Sequence, residues 1–594
     1  MKQLSLVINI RLNEAENTAA EIYTIREGYR VVAVRGSVIF SVISSLSFID
    51  PMYQFSLQKF MEQMSEILRK REKRDGLIDR LLLLTSDITT SLYNIICPGL
   101  FEKHKLLYSF MTAVKISIAA NVISETEWHY FTDSVLPYIS SFDNLPLPEH
   151  LRAYGLCEKS WTSALMLAYN MPVAFKGLID DLKNIERCSE WARFFQSDSY
   201  HTHDLPVEWE SRLSCFHRLL LIKTIKEEQI VFATKKYITD NIGESFCESP
   251  LSDVDDVCNV STAVTPLIVI LSPGENPIDY ILQLAEKKGQ SGKRLRIISM
   301  GQDQDHRAEK AIEEARLSGG WVYLQNCHLS LSWLPKLEEI VDKMQKDPGS
   351  VNSNHRLWIS SMSTTHFPVS VLQCGVKIAV ETPKGIKSHL MRTFQSISEE
   401  EYNSCTRKEL YKKFLFTAAF FHALIFERKK YGALGWNVPY NWMNSDLKSA
   451  LVQVKMNLET QDSIPWETLI FNLSEVTYGG RVTDVLDKRT ISAILRKYYS
   501  PSLLDESFTF TEDGIYYPPI CSDLSGVREY IQQLPSDDDL DISLLGLHPN
   551  AVISHQQRES HAFLSAGEEP SYFLNRIEDS CLHMISILVL NTIK

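Results

Sequence analysis

Cysteine pairs at C-x-x-C spacing are missing from this 594-residue sequence, although it holds 11 cysteines. An odd number scattered from Cys97 to Cys581 argues against a disulfide framework or a zinc ribbon, and points to buried thiols in a reducing compartment. Excess positive charge is missing too. With 61 Lys+Arg against 74 Asp+Glu, the formal charge of −13 argues against a dedicated nucleic-acid binder. The apolar runs Phe414 to Phe426 and Cys581 to Leu590 fall short of the roughly 20 residues a membrane span needs, so a core helix and a docked or frayed tail are expected instead. The first residues, MKQLSLVINIRLNEAEN, reach Arg11 and Glu14 before a signal-peptide core can form. Metal sites also lack their ligands. His201 and His203 have no cysteine or acidic partner at ligand spacing, and the acidic stretch around Asp537 has neither the glycine nor the closing glutamate of a calcium loop.

What is present is an ordinary globular composition, 44% hydrophobic and 23% charged, on a chain long enough for several domains. The first quarter reads as helical. In SLQKFMEQMSEILRKREKR, the residues Leu57, Phe60, Met61, Met64, Ile67 and Leu68 form one stripe, and the basic run that follows reads as a solvated helix end. SFDNLPLPEH, around Pro146 and Pro148, reads as a linker, and the acidic stretch Glu248 to Pro266 as a boundary. Beyond it strands and helices alternate. LIVIL, LRIIS, WVYL, RLWIS and VKIAV are expected strands, and the helices between them begin near Pro277, His306 and Trp333. Such alternation predicts a parallel sheet covered by helices. After Ser398 the chain turns helical again.

The turn after LIVIL is where a phosphate loop would lie, and the turn is SPGENPID. It offers one glycine, Gly274, no lysine and no hydroxyl at the place that should hold magnesium, while Glu275 adds charge of the wrong sign. The Gly-Lys pair at Lys293 follows a helix and precedes a strand, so it cannot serve that turn. The third strand ends in Gln325, Asn326, Cys327 and His328, where P-loop ATPases of the AAA+ kind carry acids that hold Mg²⁺ and activate water. Cys327 and His328 could be imagined as a nucleophile pair. As neighbours on a strand they would face opposite ways, so a structural role is expected.

Several segments together resemble the C-terminal motor region of a dynein heavy chain, the axonemal type more closely than the cytoplasmic. They are REGYRVVAVRGSVIFSVISSLSFIDPMYQFSL, GLFEKHKLLYSF, TPLIVILSPGENPIDYILQLAEKKG, GGWVYLQNCHLSLSWLPKLEEIV, HRLWISSMSTTHFPVSVLQCGVKIAVETPKGIKSHLMRTF, KKYGALGWNVPYN and VTYGGRVTDVLDKR, in family order. The resemblance implies an α/β plus all-α fold, with a P-loop-like AAA+ parallel-sheet subdomain flanked by helical regions. Residues 1–150 would be a helical connection between the fifth and sixth AAA+ modules and 151–258 a mixed linker segment. Residues 259–398 would form a degenerate large subdomain, 399–545 its helical lid and 546–594 a divergent tail, unlike the family beyond Ile553.

The same resemblance implies a non-catalytic, ring-forming part of a microtubule motor, inactive as an ATPase by itself. It would have no catalytic, cofactor-binding or metal-binding residues of its own; ATP and magnesium would belong to the full-length motor. Partners would be neighbouring AAA+ modules or dynein subunits, with microtubules met only through the whole motor and neither nucleic acid nor membrane involved. The expected location is the cytoplasm and cytoskeleton, in a cilium axoneme. The expected product is a fragment or alternative form, since the linker, four preceding modules and stalk of a full heavy chain are not recognisable. The alternative is a regulator that docks on dynein complexes without motor activity.

Overall fold

Five short apolar segments form one parallel sheet in the computed structural model. It describes residues 28–70, 77–132, 145–184, 205–247, 261–273, 275–301, 304–505, 507–511, 513–519, 523–535 and 542–573, together with Glu190, Trp191, Phe194, Cys258 and Ile585. The strands are β1 Leu267–Leu271, β2 Leu295–Ser299, β3 Trp321–Gln325, β4 Arg356–Met362 and β5 Val376–Val380. Their order is β2-β3-β4-β1-β5. β1 pairs in parallel with β4 and with β5, so it is enclosed on both edges and all five of its residues are buried, as an uninterrupted apolar run requires. The chain leaves β1 for the far edge at β2, whereas it leaves β4 for the opposite edge at β5. The crevice beyond the carboxyl ends of β1 and β4 is therefore the topological switch point, where open α/β sheets bind ligands.

Both faces of the sheet are covered. Leu267, Val269, Trp321, Tyr323, Trp358 and Ile378 pack against Ile281, Leu284 and Ala285 of the helix Ile278–Lys287. On the other face, Ile268, Ile270, Val322, Leu324, Leu357 and Ile359 meet the helices Asp305–Ser318 and Leu334–Lys346. Gly319 ends the first of these in a left-handed conformation, φ 80°, and its N–H returns to Ala315 O at 2.8 Å. Asn276 caps the helix after β1 through Ile278 N, 3.2 Å from its Oδ1, and Pro277 stands at the N-cap rather than at the first helical position.

The N-terminal helices share the second of these cores. In the helix Leu57–Lys70 the stripe expected from the sequence buries Phe60, Met64 and Leu68. The segment Arg30–Phe48, passed over as a membrane candidate in the sequence, is long and apolar enough to qualify by composition. It is instead a core helix. Val32, Ile39, Val42 and Ile43 are almost wholly excluded from solvent, roughly 1.5–3 kcal/mol of burial each. Phe110 centres an aromatic cluster with Trp128, Phe131, Tyr237 and Phe563.

The chain divides into two compact units, Met1–Val380 with Glu559–Lys594, and Glu381–Arg558. The second unit is built round the helix Lys408–Lys429, which holds the FLFTAAFFHALIF run with Phe414 through Ile425 buried. The helix Ile386–Ser396, grouped by sequence with the α/β segment, packs into this second core through Ile386, Leu390 and Phe394. Charged groups are buried here as well. Glu427 accepts from Gly385 N and pairs with Lys430 Nζ at 3.1 Å; Arg428 donates to Leu545 O and to Gly435 O, and lies over Trp436. Asp487 accepts from Asn437 N and from Tyr440 OH at 2.8 Å. A π-helix at Asn472–Thr477 has no counterpart in the sequence-based reading.

The cysteines do not all conform to expectation. Among the described residues, Cys97, Cys258, Cys327 and Cys405 are buried free thiols, but Cys157 and Cys215 are exposed and Cys247 and Cys374 half-buried. Both exposed ones stand at or beside helix starts, Cys157 as an N-cap accepting from Ser160 N. At Cys157 a small polarisable group serves the free backbone amide, so polarity of the position overrides the residue's usual preference for burial; beside Cys215 that service falls to Ser214, which accepts from His217 N.

Candidate functional site

The switch-point crevice is bounded by the turn after β1, the end of β3 and the end of β4. In the turn, Ser272 N donates to Val380 O at 3.1 Å and Glu275 N to Ser272 O at 3.2 Å, so these two amides are committed inside the protein. Asn276 Oδ1 occupies the amide of Ile278, and Asp279 lies in the first helical turn. A helix N-terminus ordinarily attracts anions. Here its field is already answered by an amide oxygen and carboxylates. Gly274 lies outside the described residues. Lys293 sits in the turn Gly292–Arg294 at the amino end of β2, at the outer edge of the sheet and the opposite end from the crevice.

The end of β3 is tied to its neighbours by neutral hydrogen bonds. Met300 N donates to Gln325 O at 2.8 Å, joining β2 to β3. Ser360 Oγ, on β4, accepts from Tyr323 OH and from Asn326 N, both at 3.2 Å. Asn326 is left-handed, φ 55°, a conformation that asparagine tolerates better than most side chains. This bend ends the strand at Gln325, so Cys327 and His328 lie in a 3-10 turn and not on a strand as the sequence suggested.

Their separate roles follow from that turn. Cys327 is fully buried, its thiol points back to Leu324 O, and burial raises its pKa well above the ordinary thiol value. His328 Nδ1 accepts from Met362 N at 3.1 Å, and partial burial lowers its pKa, which keeps the ring neutral and able to accept. A protonated thiol and an imidazole whose acceptor nitrogen is occupied do not make a nucleophile and base. Among the described residues, no three His, Cys, Asp or Glu side chains come together as a metal site. His201, His203 and Asp537 lie outside the described residues.

Two contacts extend the crevice beyond what sequence reasoning identified. Ser363 Oγ donates to Asp50 Oδ1 at 2.9 Å, and that carboxylate also accepts from Met52 N, tying the end of β4 to the N-terminal helices. Ser360 was missed as well. The sequence signal was a pair of hydroxyls, Ser360 and Ser361, inside the otherwise apolar RLWISSM, and both prove to be buried.

Residues 262–379 match the model of the dynein heavy chain region D6 P-loop domain, and residues 411–551 that of the dynein heavy chain AAA lid domain. Dynein axonemal heavy chain 6 of Homo sapiens is 35% identical over 583 residues, 95% of this chain and 14% of the relative. Dynein axonemal heavy chain 1 of Homo sapiens is 35% identical over 565 residues, covering 95% and 13%. The Dynein-1-beta heavy chain of the flagellar inner arm I1 complex of Chlamydomonas reinhardtii is 33% identical over 561 residues, covering 94% and 12%. This chain thus spans about one seventh of its relatives' length or slightly less. The chain belongs to the dynein heavy chain family, of which it carries the region D6 P-loop domain and the AAA lid domain.

Proposed function

We propose that this chain serves as a mechanical, non-hydrolysing section of an axonemal-type microtubule motor, the sixth AAA+ module with its lid. The observation that carries the reading is the carboxyl end of β3. Where hydrolysis needs carboxylate side chains stand Gln325, Asn326 and His328; the backbones of the first two and the ring of His328 are bonded to β2 and β4, which supports a role in transmitting force through a stiff sheet. The turn after β1 supports it too, with no lysine to neutralise a triphosphate.

On this reading the segment holds no nucleotide or metal, and ATP and magnesium act elsewhere in the full-length motor. Its partners are neighbouring AAA+ modules and dynein subunits; microtubules are engaged only through the whole motor, within the cytoskeleton of a cilium. Calorimetric titration of the purified chain with ATP and Mg²⁺ is expected to show no saturable binding; tight, Mg²⁺-dependent binding would overturn the non-hydrolysing assignment. Cross-linking and mass spectrometry in ciliated cells are expected to recover dynein chains. Recovery of unrelated proteins alone would overturn the motor assignment.

A further inference from the structure

At the β5 edge of the sheet two lysines meet in a setting with little to neutralise them. Lys377, on β5, is 4% exposed. Its Nζ donates to Leu372 O at 2.6 Å and lies 4.2 Å from the centre of the Phe55 ring, in the stretch leading into the helix Leu57–Lys70. From that helix, Lys59 Nζ reaches over to Cys374 O. The segment Cys97–Gly99 presses on the stem of Lys377 so closely that a Cβ on Gly99 would lie 2.8 Å from Lys377 Cβ. Among the described residues neither lysine has an ion-pair partner.

We infer that Lys377, with Lys59 beside it, forms a pH-responsive latch between the N-terminal helices and the edge strand of the sheet. An ammonium brings three donors, and this site supplies one carbonyl and one aromatic face, so its protonated form is under-solvated at a seam between two elements. The charged and titratable groups facing it are few. Lys59 repels it from the helix Leu57–Lys70; Glu62 on the same helix acts on Lys59; and the Cys374 thiol lies at the end of the helix Val369–Cys374. The Cys97–Gly99 segment meets Lys377 through Gly99, and β1 presents Ile268 in register with it.

Burial, with help from Lys59, lowers the Lys377 pKa from 10.5 to about 7. The sign follows from proton counts. The opened seam, with its lysine in water, holds the proton up to the ordinary lysine range, whereas the closed seam releases it near neutrality. Closure therefore gains with rising pH between those limits, and is flat and weakest below the lower one. Deprotonation leaves the amine its bond to Leu372 O and removes both the desolvation cost and the repulsion from Lys59.

The test is hydrogen–deuterium exchange of the full chain between pH 6 and 8, corrected for intrinsic rates, followed in peptides covering Met52 to Phe60 and Leu372 to Val380. Protection in both is expected to rise about tenfold across this range. Lys377→Met should abolish the rise. Lys59→Gln should move the onset of the rise to higher pH, because a repelling charge is gone. A flat wild-type profile, or a Lys377→Met profile parallel to wild type, would overturn the inference. If Lys377→Met does not fold, Lys59→Gln decides: an onset moved to higher pH supports the latch and an unmoved one overturns it.

Discussion

The crevice at the end of β3 and the core of the second unit handle polar groups in opposite ways. At the end of β3 the bonded groups are neutral: Tyr323, Ser360, Asn326 and His328 are joined to each other or to backbone at 3.1–3.2 Å, and the Asp50 carboxylate enters only beyond the end of β4. In the second unit charged groups are among those buried. Glu427 and Arg428 each spend their hydrogen bonds chiefly on backbone atoms of other segments, and Glu427 keeps one ammonium partner. Neutral bonds between adjacent strands add stiffness at little desolvation cost, whereas a buried charge fixes a distant backbone segment but punishes any loss of a partner. The comparison suggests that charge has left the position where a P-loop enzyme would use it and persists where it orders loops.

The sharpest way to break that comparison is at Arg428. Arg428→Ala would leave the carbonyls of Leu545 and Gly435 without their donor and a void beside Trp436. A loss of about 3 kcal/mol or more is expected, read as a lower urea midpoint for the transition reported by Trp436 fluorescence. A change under about 1 kcal/mol would mean that these charges are not structural. At the crevice the corresponding change, Ser360→Ala, removes one acceptor shared by Tyr323 and Asn326. About 1–2 kcal/mol is expected, because the buried Tyr323 hydroxyl keeps its contact with the Gln325 side chain and Asn326 is only half-buried.

His328 gives a smaller effect with a pH signature. Its folded pKa is lowered from the ordinary 6.5 by burial, so the folded chain binds fewer protons than the unfolded one as pH falls through that region. Stability contributed through the Met362 N–H bond is present above 6.5 and is lost as pH drops towards and through the folded value. A shallow decline in melting temperature between pH 7 and pH 5, reduced in His328→Asn, is the expected outcome. An identical slope in the variant would remove His328 from the set of ties between β3 and β4.

The two regions also differ in how far they could be read in advance. Strands of the sheet were visible because burial on both faces leaves short apolar runs, LIVIL above all, and the β-α alternation then fixed the parallel class. The absence of a lysine from the turn after β1 could be read for a local reason: phosphate-loop chemistry depends on consecutive residues. Bonds such as Met362 N to His328 and Ser363 to Asp50 join residues 34 and 313 positions apart, and no local pattern announces them. The helix Arg30–Ser45 was passed over because it has apolar or small residues on most of its circumference and no clear stripe, the pattern of a helix enclosed by others. The π-helix Asn472–Thr477 had no sequence signal, since one extra residue per turn is set by packing rather than by propensity.

The smallest expected effect is the most pointed. Asn326→Asp would place a carboxylate at the end of β3, in a left-handed conformation that aspartate also tolerates, and stability should change by less than about 0.5 kcal/mol. If catalysis had been lost through that one position, the variant would begin to bind Mg²⁺ and ATP. It should not, because the turn after β1 still lacks a lysine and a hydroxyl at the place that should hold magnesium, and keeps Glu275. Isothermal titration with ATP and Mg²⁺ should therefore give the same flat trace as the unaltered chain. A saturable, metal-dependent isotherm would show that the crevice is one substitution from a nucleotide site, and the contrast between an uncharged sheet end and a charged lid core would no longer separate mechanical from chemical regions.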